Sequence, residues 1–146
     1  MSVELPFAPV DDLIRRNAGD LRVSSGAAEE LASRIQREGA TRATAAAQRA
    51  EADGRKTLMV ADFGVESTPP TEELALPIAP VDRVARLDID ERYRVSMDAR
   101  VALAAQLETY ADDVAAAAAL LARHADRRTV KTADIQAYYD LEPYFA

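Results

Sequence analysis

The chain has 146 residues and a formal net charge of −7, from 25 acidic and 18 basic side chains. Without cysteine it has no disulfides or thiolate metal sites. No apolar run approaches the ~20 residues of a membrane span and no basic-then-apolar signal opens the chain, so a soluble, cytoplasmic protein is expected. The acidic balance by itself argues against a nucleic-acid partner. With only Lys56 and Lys131 among its bases besides arginine, the chain leans toward the proteins of a salt-rich cytoplasm, where screening makes surface carboxylates tolerable.

Leu5-Pro6-Phe7-Ala8-Pro9-Val10 opens a first helix, with Pro9 in the turn where a missing N–H costs nothing. A short amphipathic helix is predicted over 10–17, ended by Gly19. Ser24 suits the N-cap of a long, alanine-rich helix over 25–52. Leu31 and Ile35 begin an apolar stripe there, but Glu38, Arg42 and Arg49 interrupt it, and Gly39 costs about 1 kcal/mol relative to alanine. The loop Arg55-Lys56-Thr57 leads to a brief third helix cut by Gly64. Ser67-Thr68-Pro69-Pro70-Thr71 lies in a polar linker over 67–75, and about ten residues reach at most ~33–36 Å.

The pattern then repeats. Leu76-Pro77-Ile78-Ala79-Pro80-Val81 restates the opening at an offset of 71, and Arg94-Val95-Ser96 restates Arg22-Val23-Ser24 at an offset of 72. Arg127-Arg128-Thr129 and Asp134 restate Arg55-Lys56-Thr57 and Asp62 at that same offset. The extra residue falls at Asp88-Ile89-Asp90-Glu91. That segment opens like a calcium loop but lacks its central glycine and closing glutamate, and is expected as a surface turn. Helices are predicted over 81–88, 97–125 and 132–141, and Leu103, Leu107, Tyr110, Val114 and Leu121 complete the stripe that the first long helix lacks. The first copy, 1–66, therefore depends for burial on the second, 76–146. A helix of about 28 residues is ~42 Å long, too long for a unit this small, so each long helix is expected to cross its counterpart. No nucleophile motif, phosphate-cradling glycine loop or metal-ligand cluster is present, so neither enzyme nor cofactor is expected.

In these blocks the chain resembles an archaeal histone written twice. The second copy carries nearly the whole family pattern, through His124-Ala125-Asp126-Arg127-Arg128-Thr129 and Asp134, and the first matches best at its two ends. The resemblance implies an all-α doublet of histone folds, each short–long–short in helices, clasped within one chain. It implies binding to duplex DNA through phosphates and the minor groove with little base reading, at the nucleoid. Carried over position by position, the DNA-binding residues are Arg22, Lys56, Thr57, Arg83, Arg94, Arg128 and Thr129. Asp12 stands in the first copy where Arg83 stands in the second. Arg55 with Asp62, and Arg127 with Asp134, are implied fold-holding pairs. Leu121, His124 and Asp134 are the implied contact between two such particles, and Arg49 and Ala52 replace the first two in the other copy. Two doublets are thus expected to pair through the second copy only. The competing expectation is an acidic histone-fold adaptor with transcription-related protein partners.

Overall fold

The computed structural model describes residues 2–145; Met1 and Ala146 lie outside them. The first copy contains α1 (Phe7–Ala18), β1 (Arg22–Val23), α2 (Ser25–Ala52) and β2 (Thr57–Leu58), then a 3-10 turn over Val60–Phe63. A second 3-10 turn, Thr71–Glu73, interrupts the linker. The second copy contains α3 (Ile78–Ala85), β3 (Arg94–Val95), α4 (Met97–His124), β4 (Thr129–Val130) and α5 (Thr132–Leu141), closed by a 3-10 turn over Glu142–Tyr144.

Local chemistry sets the boundaries. Ser24 Oγ accepts from the Ala27 N–H and Ser96 Oγ from the Ala99 N–H, each at 3.1 Å, so both long helices start on hydroxyl caps. Gly19 terminates α1 at φ 60°. In α3 the corresponding residues 86–93 leave the helix, so it ends at Ala85 and not near residue 88.

The halves clasp: α1 packs on both long helices, α3 does the same, and α2 crosses α4. Gly39 lies at this crossing. A Cβ there would come within 2.6 Å of Val84 Cγ1 and 3.0 Å of Leu107 Cδ1, so the residue that weakens α2 as a helix is the one that lets α3 and α4 approach. Nor does burial of α2 stop where its large apolar residues stop. Ala43, Ala46, Ala47 and Ala50 carry it into the core through the back half, while Glu38 and Arg42 pair with each other at 2.6 Å along the flank. One continuous core joins Val10, Leu13, Ile14, Leu31 and Ile35 to Val81, Val84, Leu103, Leu107 and Ile135; each full burial of such a side chain is worth about 1.5–3 kcal/mol.

Sequence periodicity gave no hint of the strands. Each is two residues long and pairs across the copies, in parallel: β1 with β4 and β2 with β3. These bridges knit every first loop to the other copy's second loop.

The segments before α1 and α3 are tied down alike. Gln36 Oε1 accepts from the Glu4 N–H at 2.7 Å. Glu108, its counterpart in α4, accepts from the N–H groups of Ala75 at 2.7 Å and Leu76 at 3.1 Å, so the linker ends on a buried carboxylate.

Candidate nucleic-acid interface

The bridges decide which loop residues meet. At one end, Arg22 lies opposite Thr129, and its N–H donates to the Arg128 carbonyl at 2.9 Å. At the other, Thr57 lies opposite Arg94, whose N–H donates to the Lys56 carbonyl at 2.8 Å. The seven sequence-derived residues thus divide into Arg22, Arg128 and Thr129 at one loop pair, Lys56, Thr57 and Arg94 at the other, and Arg83 apart on α3. β1 precedes α2 and β2 follows it, so the loop pairs stand at opposite ends of a helix whose 28 residues rise about 42 Å.

Their side chains differ in freedom. Arg22, Arg94 and Arg128 are exposed, and among the described residues none forms an ion pair. Thr57 and Thr129 are half-buried. Lys56 Nζ lies 3.9 Å from Glu51 Oε1 and 5.5 Å from the Tyr93 ring centroid. Arg83 is exposed, but its Nε meets Glu4 Oε2 at 3.2 Å, and Asp12 is exposed on α1.

Behind the loops, Arg55 grips Asp62 with two bonds, Nη1 to Oδ2 at 2.8 Å and Nη2 to Oδ1 at 2.9 Å. The same Nη1 donates to the Thr57 carbonyl at 2.9 Å, and Asp62 Oδ2 accepts from the Met59 N–H at 2.7 Å. One buried carboxylate therefore fixes the strand and the start of the 3-10 turn together. Arg55, aided by the Met59 N–H, holds Asp62 below the ordinary carboxylate pKa despite desolvation. In the second copy Arg127 pairs with Asp134, whose Oδ2 accepts from the Lys131 N–H at 2.8 Å.

Of the three residues drawn from the family's particle contact, Asp134 is buried and engaged within its own fold, Leu121 is half-buried and His124 is exposed. An apolar groove of about 390 Å³ opens beside Leu121, lined by Ala117, Leu120, Tyr138, Leu141 and Phe145.

Sequence reasoning missed Glu51, Arg92 and Tyr93. Glu51 accepts from the Tyr93 hydroxyl at 2.7 Å and sits 3.7 Å from Arg92 Nη2, across 42 positions of chain between Glu51 and Tyr93. Comparing the copies in register offered the signal, since Glu51 of the first aligns with Arg123 of the second.

A family model described as histone-like transcription factor (CBF/NF-Y) and archaeal histone matches residues 3–64 and again 74–137. Among characterised relatives, one of the subunits of the archaeal histone HAN1 from Thermococcus zilligii is 52% identical over 61 residues, covering 42% of this chain and 88% of its own. Among solved structures, the histone from Methanopyrus kandleri superposes with a TM-score of 0.63 at 23% identity, covering 90% of each chain, so the likeness of fold runs through both halves. Two matched segments, one per copy, joined by parallel bridges between their loops, establish that the chain belongs to the family of histone-like transcription factors and archaeal histones, as two histone folds fused in tandem.

Proposed function

We propose that this doublet binds duplex DNA along its phosphate backbone, with little sequence preference, as a nucleoid-associated chromatin protein without catalytic activity. The observation that carries the reading is the pair of bridged loops at the two ends of α2, which between them present Arg22, Arg94 and Arg128 with no ion-pair partner among the described residues. Their separation of about 42 Å is close to one helical turn of duplex, ~34–36 Å. Successive inward-facing stretches of backbone can therefore meet one loop pair each. Thr57 and Thr129 add hydroxyl donors beside the cations, and Arg83 would reach the minor groove once its exposed pair with Glu4 gives way. The reading also draws on the family, whose description names archaeal histones and histone-like transcription factors. Self-association belongs to the same proposal: two chains pair through Leu121 and His124 of the second copy.

Fluorescence anisotropy on a mixed-sequence duplex across a KCl series tests it. R22A, R94A and R128A are each expected to weaken binding on every sequence, and to reduce the slope of log K against log salt by about 1. Mutants that bind like the wild type would remove the loops from the interface.

A second reading has its own support. Acids accompany many of the remaining bases, as in Arg15–Asp11, Arg86–Asp82 and Arg83–Glu4, and the net charge is −7. A histone-fold adaptor for transcription proteins needs no more than this. It predicts no binding to duplex even at low salt.

A further inference from the structure

The two copies exchange charge at one position beside the loops. Glu51 occupies the last turn of α2 and Arg123 the last turn of α4, at the repeat offset of 72. Glu51 is held by the hydroxyl of the buried Tyr93 at 2.7 Å, with Arg92 Nη2 at 3.7 Å and Lys56 Nζ at 3.9 Å. Lys56 and Arg92 also flank the Tyr93 ring, at 5.5 and 5.6 Å from its centroid. One carboxylate thus gathers a hydroxyl donor and two cations, the partners a phosphate group would take. The Tyr93 hydrogen bond and the neighbouring Lys56 keep the Glu51 pKa below its ordinary value, so it stays an anion.

At the opposite loop pair the corresponding side chain is a cation. Arg123 Nη2 donates to the Ala18 carbonyl at 2.8 Å, which anchors it at the C-terminal end of α1 in the other copy. Arg22 and Arg128 share that end, and no carboxylate pairs with any of the three among the described residues.

Building on the DNA-binding reading, we propose that the doublet grips duplex phosphates unequally: Arg22, Arg123 and Arg128 form the anchoring end, and Glu51 occupies the phosphate position of the other loop pair as an internal competitor. DNA must displace Glu51 from Lys56 and Arg92 before that end engages. The anchoring end has no paired carboxylate among the described residues for phosphate to displace. Because Glu51, Lys56 and Arg92 are all exposed, molar salt screens both this competition and the phosphate contacts it opposes.

The test is a duplex titration by anisotropy from low to molar KCl with E51Q, K56A, R123Q, R128A and the double variant E51Q/K56A. Glutamine keeps an acceptor for the Tyr93 hydroxyl while removing the charge, and thermal melts verify that each variant is folded. E51Q is expected to bind about three- to ten-fold more tightly at low salt, with a salt slope steeper by about 1, and to converge on the wild type in molar KCl. K56A is expected to cost little in the wild type and several-fold in the E51Q background. R123Q and R128A are each expected to cost several-fold outright. Unchanged affinity and slope in E51Q, or a K56A loss equal to that of R128A in the wild type, would overturn the unequal grip alone. If R128A also binds like the wild type, the DNA reading fails and this inference falls with it.

Discussion

Asp62 gathers the second loop of the first copy around one buried carboxylate. It is 3% exposed, takes two bonds from Arg55 and one from the Met59 N–H, and so locks the loop that bears Lys56 and Thr57. Its folded pKa lies below the ordinary 3.8. A depressed carboxylate contributes stability that is fully present above the unfolded value and is lost as pH falls through the folded one. Denaturant melts should therefore show wild-type stability declining below about pH 4. In D62N that acid-side decline should be shallower, and stability at pH 7 should already be lower by about 1–3 kcal/mol, because the amide leaves Arg55 with only the exposed Asp53, at 3.1 Å, as a counter-charge. A D62N variant as stable as the wild type at pH 7 would show that the loop is held by its bridge to β3 alone. The sequence-level reading reached this pair through the family resemblance, on an arginine and an acid that recur in both copies. It did not reach Glu51, because periodicity sees neighbours on one helix and the Tyr93 that fixes Glu51 arrives from the other copy.

At the level of elements, the long helices show what a hydrophobic pattern can and cannot disclose. The boundaries of α2 and α5 were legible from Ser24, the alanine run and the 132–141 segment, and agree with 25–52 and 132–141. The depth of α2 in the core was not, because alanine has no large side chain to register as a stripe. Ala43, Ala46 and Ala50 are nonetheless 0% exposed, since small residues let a neighbouring helix come close. Gly39 extends the same logic to its limit. On helix propensity alone, G39A should gain about 1 kcal/mol. At the crossing, the added methyl meets the stiff γ-carbon of Val84 at 2.6 Å and should instead cost about 1–3 kcal/mol through overpacking. A urea midpoint for G39A at or above that of the wild type would place the tightest contact elsewhere. The two-residue bridges were invisible for a related reason: a strand that short has no alternation to read, and its partner lies in the other half of the chain.

For the whole molecule, the decisive property is that its two ends are unlike. The second copy ends in α5 and a 3-10 turn that leave Leu120 65%, Leu141 42%, and Tyr144 and Phe145 each 82% exposed. Together they offer on the order of 500 Å² of apolar surface. A two-fold contact between two such faces then buries about 1,000 Å², the size at which specific interfaces begin. Where the second copy has Ala117, Leu120 and Leu121 the first has Ala45, Gln48 and Arg49, with Arg49 Nη1 donating to the Asp62 carbonyl at 2.6 Å, and its third helix is a single 3-10 turn. A polar guanidinium spent on its own backbone gives a partner nothing apolar to cover. The proposed self-association should therefore close at two chains, because growth requires an adhesive patch at both ends. Sedimentation equilibrium should give twice the 15.8 kDa chain mass for the wild type and a single chain for L120E/L121R. Restoring the second-copy residues in the first, as R49L/A52H, should produce mass that keeps rising with concentration. Pairing that survives L120E/L121R, or an open-ended wild type, would assign the contact to another surface and dissolve the argument from unequal ends.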